Sequence, residues 1–109
     1  MIARIALCGA VALAALAGCS QGEKLSAEAE RGRAVYMGQC IACHNPDPAK
    51  TGPLGPEVKG SSPELLRAKV VDGTYPPGYT PKRPTKVMQP LPHVAGDIPP
   101  LAAYLRERN

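Results

Sequence analysis

What this chain has least of is aromatic surface: its 109 residues include no Phe, no Trp and only four Tyr. A core cannot be filled from the chain's own large aromatics, and the stacking platforms of a nucleic-acid binder are missing as well. Charge of one sign is also scarce. Thirteen Lys and Arg stand against nine Asp and Glu, a net +4 with the basic residues spread out, so nucleic acid is not expected as a partner. The apolar run at residues 5–17, about thirteen residues, is too short for a bilayer-crossing helix. At 109 residues there is room for one small domain, and an export segment would leave about 90, near the size at which a core becomes marginal. Thirteen Pro, all from Pro46 onward, limit regular structure further. A buried partner with a large flat apolar surface would supply the missing area, at roughly 25 cal/mol per Å².

The four cysteines are unevenly placed. In an exported protein four Cys would ordinarily suggest two disulfides with three possible pairings. Here Cys8 lies inside the N-terminal apolar run, Cys19 ends it, and Cys40 and Cys43 sit three residues apart with His44 directly behind. Arg4 followed by the apolar run reads as an export signal. Its end, Leu16-Ala17-Gly18-Cys19, resembles the lipobox of bacterial lipoproteins. That resemblance implies a signal peptide over residues 1–18 and lipidation at Cys19. Cys8 follows Leu7, not the small residue cleavage requires, and is discarded with the signal. Residues 19–25, CSQGEKL, then read as a short polar tether reaching at most about 25 Å, and residues 26–109 as the folded domain.

Three helices are expected. Ser26 caps the first, with Glu28 and Glu30 where the helix dipole favours negative charge; it runs to about Met37 and stops at Gly38, with Gly32, Val35 and Tyr36 on one face. Residues 45–61, with four Pro and three Gly, form a loop. Ser62 and Pro63 open a second helix that Gly73 closes, with Leu65, Leu66 and Val70 inward and Lys69 at the edge. Residues 74–96, with six Pro and no period, form a 23-residue loop, a length that argues for function. Asp97 caps the last helix, whose first turn tolerates Pro99 and Pro100. Leu101, Tyr104 and Leu105 are its apolar stripe, and Arg106 and Arg108 suit its end.

The segment CIACH, Cys40 to His44, carries the chemistry. Two thiols at this spacing add to the two vinyl groups of a haem, and the adjacent imidazole ligates its iron. A redox dithiol would want a βαβ setting, and zinc two further ligands, of which only His93 is on offer. Met88, in the long loop, is the candidate second axial ligand and His93 its rival; Met37, three residues before Cys40, is core filler.

Taken together, these features resemble class I cytochromes c over nearly the whole of residues 26–109. Gly32 and Tyr36 stand eight and four residues before the first motif Cys, as in the family's first helix, and LAAYL supplies the Leu101 and Tyr104 that cross that Gly. TGPLG resembles the family's Thr-Gly-Pro, whose proline carbonyl accepts the axial histidine's Nδ1–H. By that match the role falls to Pro53, with Pro56 open because the spacing from His44 is short. PTKVMQPLPH resembles the family's Met loop, with Gln89 interrupting the usual Met-Pro pair.

The resemblance implies an all-α domain wrapped around one covalent haem c, with crossing N- and C-terminal helices and His44 and Met88 on the iron. It implies a monomeric single-electron carrier, not an enzyme, on the periplasmic face of a bacterial membrane. The carrier would exchange electrons with a redox-protein donor and acceptor, with Lys82, Arg83 and Lys86 steering acidic partners. A fixed haem subunit of a membrane oxidase or reductase complex, and a haem enzyme or gas sensor with a labile sixth ligand, are the competing expectations.

Overall fold

The computed structural model describes residues 24–107. The expected signal peptide, the expected lipidation site Cys19, most of the tether and Arg108 lie outside the described residues. Leu25, assigned to the tether, is half-buried and packs against the core.

Among the described residues there are helices and no strand. Helix α1, Ala27–Gln39, begins where Ser26 accepts the Ala29 N–H at 3.1 Å, and Glu28 and Glu30 occupy its first turn. It continues through Gly38 to a cap at Cys40, beyond the expected stop. A single Gly costs a helix only about 1 kcal/mol, and the Cys40 N–H still finds the Tyr36 carbonyl at 2.9 Å. Helix α2, Pro63–Leu66, has its Ser62 cap and leading proline. It widens into a π-helical turn, Arg67–Asp72, that ends at left-handed Gly73. The wide turn turns the Val70 carbonyl toward the Leu91 N–H, 2.6 Å away, which anchors the far end of the long loop.

That loop is shorter than its proline content suggests. A 3-10 turn, Pro92–Asp97, occupies its last part and buries Val94. It runs directly into helix α3, Ile98–Glu107, so Asp97 closes one helical turn rather than opening the next. Pro99 and Pro100 fill the first turn of α3, where N–H groups are not needed. Residues Pro100 to Leu105 are all buried, a wider apolar face than the three-residue stripe, because small Ala102 and Ala103 let neighbours close over them.

α1 packs chiefly on α3. The crossing is as close as backbones allow. A Cβ on Gly32 would overlap the Pro100 carbonyl oxygen and lie 2.9 Å from the Leu101 nitrogen. Below this contact the Tyr36 and Tyr104 rings meet at 5.6 Å between centroids, tilted by 48°. Glu107 closes the other end, its two carboxylate oxygens accepting the Ser26 N–H at 3.0 Å and hydroxyl at 2.9 Å. These bonds hold the Glu107 carboxyl below the usual carboxylate range. The core is small: Leu66, Val70, Val94, Ile98, Leu101 and Leu105 with the two tyrosines and three alanines. It leaves one apolar side of the domain open as a cavity.

Candidate functional site

CIACH follows α1 without a break. The Cys43 and His44 N–H groups both reach the Cys40 carbonyl, at 3.3 and 2.9 Å, so the motif winds into one more turn. The Cys43 carbonyl accepts the N–H groups of Leu54 and Gly55 at 3.1 and 2.9 Å, and Gly52 N–H bonds the Gly55 carbonyl at 2.9 Å. TGPLG is thereby folded onto the motif. Tyr36 hydroxyl donates to the Asn45 carbonyl, tying the end of the motif back to α1.

His44 is fixed by two contacts. Its Nδ1–H donates to the Pro56 carbonyl at 2.8 Å, and its ring lies flat on Gly55, where a Cβ would come within 2.6 Å of Nδ1 and 2.9 Å of Nε2. The acceptor is therefore Pro56, not the Pro53 that the motif match suggested. The reason is local: the Gly52–Gly55 turn is pinned to Cys43, which leaves Pro53 exposed and brings the residue after Gly55 to the imidazole. A proton held at Nδ1 leaves the Nε2 lone pair free for a metal.

Cys40, Cys43, His44 and Met88 all line a single cavity of about 340 Å³, within the range of roughly 300–1,000 Å³ typical of small-molecule and cofactor sites. Its walls include Val58, Leu65, Leu66, Val70, Leu91, Leu101 and Leu105. Cys40 is half-buried there, and burial pushes its thiol up to about 11; Cys43 is exposed at the rim. Neither is in a disulfide. Met88 is half-buried against the core. No family model, curated protein or solved structure matches this chain.

The donor set is two thiols, one imidazole with its Nδ1 proton committed, and one thioether, all in an apolar cavity. Among the described residues no three His, Cys, Asp or Glu side chains gather as a metal-holding group. His93, the rival to Met88, does not line the cavity; it is exposed, with Nε2 3.1 Å from Gln39 Oε1. Met37 is also absent from the lining and packs on the core as expected.

Some lining residues were not foreseen. Tyr75 and Tyr79 stack at 5.4 Å and 12° on the cavity wall, and the Lys69 ammonium sits 4.5 Å over the Tyr75 ring, so the expected edge lysine covers an aromatic face. Half of the chain's tyrosines lie in the proline-rich loop, and in so aromatic-poor a sequence that placement was the available signal. Gly55 carried no signal of its own, since its importance depends on where His44 falls.

Proposed function

We propose that the chain is a monohaem c-type cytochrome, a single-electron carrier lipid-anchored through Cys19 at the periplasmic face of a bacterial membrane. The observation that carries this reading is the convergence of Cys40, Cys43, His44 and Met88 on one apolar cavity, with His44 Nδ1 held by the Pro56 carbonyl. The residues suit the cofactor: the cavity is apolar where a macrocycle needs burial, and Nε2 is the free imidazole nitrogen. A haem held here would supply a one-electron Fe(III)/Fe(II) couple.

The chain's own contributions follow from its side chains. Cys40 and Cys43 would hold the group by adding their S–H across its two vinyl groups. Gly55 and Pro56 fix the plane and tautomer of His44. The soft Met88 thioether on the cavity wall would be a ligand for such an iron, one that favours the reduced metal and leaves no room for substrate, as a carrier requires. The Leu and Val walls keep water from the site and favour the state of lower charge.

The test is replacement of both motif cysteines. Cys40→Ala with Cys43→Ala abolishes haem stain on a denaturing gel, whereas the wild-type chain retains it. A stain that survives the double replacement overturns the attachment. An absorption spectrum then separates carrier from enzyme or sensor: a low-spin ferric form with a sulfur-to-iron charge-transfer band supports the carrier, and a high-spin form refutes it.

A further inference from the structure

The segment that carries Met88 is held by very little. From Thr80 to Pro90 its backbone N–H and carbonyl groups make no hydrogen bond to any other part of the described protein, and residues 80–87 are all exposed. Val87, next to Met88, is 61% exposed. Apolar contact is confined to the far end, where Met88 and Leu91 touch the core and Pro90 packs over Gly73.

Against this background one polar contact stands out. The Lys82 ammonium donates to the Glu57 carbonyl at 2.9 Å and pairs with the Glu57 carboxylate at 3.3 Å. Its bond to the Glu57 backbone fixes it to the chain and not just to a flexible side chain. Thr51 hydroxyl donates to the second carboxylate oxygen at 3.4 Å, and the Glu57 carboxyl is held below the usual range by its own backbone N–H and by Lys82. Glu57 directly follows Pro56, the residue that orients His44, while Lys82 lies six residues before Met88. The neighbouring cations do not share the role: Arg83 donates only to the Lys82 carbonyl at 3.5 Å.

We propose that Lys82 and Glu57 form a latch that holds the Met88 segment on the domain by fastening it to the loop that orients His44. The pair are positioning residues and touch neither axial atom. The inference rests on the His44/Met88 reading for what the latch protects, but the fastening of the segment is a property of the chain alone. An exposed ion pair is weak and screened by salt. The latch therefore sets how often a marginal segment opens and not whether the domain folds.

The experiment compares the full haem-loaded chain as wild type, Lys82→Met, Glu57→Gln, Lys82→Arg and Arg83→Met, with two readouts. The first is binding of exogenous imidazole to the ferric form, which requires Met88 to leave. The second is limited trypsin cleavage after Lys86, which requires the segment to lift and involves no iron chemistry. Lys82→Met raises both by about 5-fold, the upper end for such a pair. Glu57→Gln raises them less, because the backbone bond remains, and Lys82→Arg restores wild-type values. Arg83→Met changes neither. Adding about 0.5 M salt moves the wild type toward Lys82→Met and leaves that variant in place. Equal imidazole affinity and equal cleavage in wild type and Lys82→Met overturn the latch while the axial reading stands. A wild type without a Met-ligated spectrum overturns the axial reading, and cleavage after Lys86 then decides the latch by itself.

Discussion

Adding one methyl group to α1 destabilises the domain at Gly32 and stabilises it at Gly38. At Gly32 the new Cβ would overlap the Pro100 carbonyl oxygen and lie 2.5 Å from the Pro100 carbonyl carbon and 2.9 Å from the Leu101 nitrogen. All three are backbone atoms, so no side chain can swing aside. Relief requires α1 and α3 to separate, which loosens the Tyr36–Tyr104 contact and the buried run from Pro100 to Leu105. Overpacking costs about 1–3 kcal/mol, and a backbone clash belongs at the upper end, near 3. The better helix propensity of Ala returns about 1 kcal/mol, leaving Gly32→Ala roughly 2 kcal/mol less stable. For a domain of this size that lowers the melting temperature by about 10 °C. Gly38 is in the same helix and has nothing within 4 Å of its added Cβ, so Gly38→Ala keeps the propensity term alone and melts a few degrees higher. Thermal unfolding followed by far-UV circular dichroism reads both. A Gly32→Ala protein that melts at or above wild type refutes the close crossing, and the Gly38 variant guards against attributing the loss to alanine itself.

Three further outcomes follow from the structure. Gly55→Ala pushes a Cβ into the His44 ring, breaks the Nδ1–Pro56 bond and destabilises by about 1–3 kcal/mol; the slowly exchanging Nδ1–H resonance of wild type disappears in NMR spectra, and its persistence counts against the flat packing. Tyr36 is 1% exposed, and burial first, then the neighbouring Cys40, Tyr104 and Asp47, pushes its phenol up to about 12 from 10.0. The unfolded chain releases this proton first, so stability present below pH 10 is lost progressively as pH rises toward 12; denaturant titrations show a shallower fall for Tyr36→Phe. The Glu107 carboxyl is depressed by its bonds to Ser26, so the clasp stabilises above the ordinary carboxylate range and is lost as pH falls through the depressed value. Glu107→Gln accordingly melts below wild type at neutral pH and converges with it in acid, and a constant gap across pH refutes a charged clasp.

The parts of the fold legible in the sequence are those decided by neighbours along the chain. Ser26, Ser62 with Pro63, and Gly73 mark helix ends because caps act within one turn. Leu101, Tyr104 and Leu105 share a face by spacing alone. Gly38 misled because a glycine with open space around it need not end a helix. The π-turn, Arg67–Asp72, and the 3-10 turn, Pro92–Asp97, leave no distinct pattern, since each differs from an α-helix by one residue in its hydrogen bonding. At the site, Cys40, Cys43, His44 and Met88 were readable from motif and position, and the cavity brings them together. Choosing Pro56 over Pro53 was not readable, because it depends on Gly52 and Gly55 folding back on Cys43. Nor was the Lys82–Glu57 contact, whose partners stand 25 residues apart.

The Glu107–Ser26 clasp has a topological consequence. Residues 81 apart in sequence are within hydrogen-bonding reach, so the chain enters and leaves the domain at one point. Whatever precedes Ser26 and whatever follows Glu107 therefore emerges from the same side. A label or fusion joined after Glu107 would stand beside the point where the chain enters the domain at Ser26. A short linker could join the two ends there without spanning the domain.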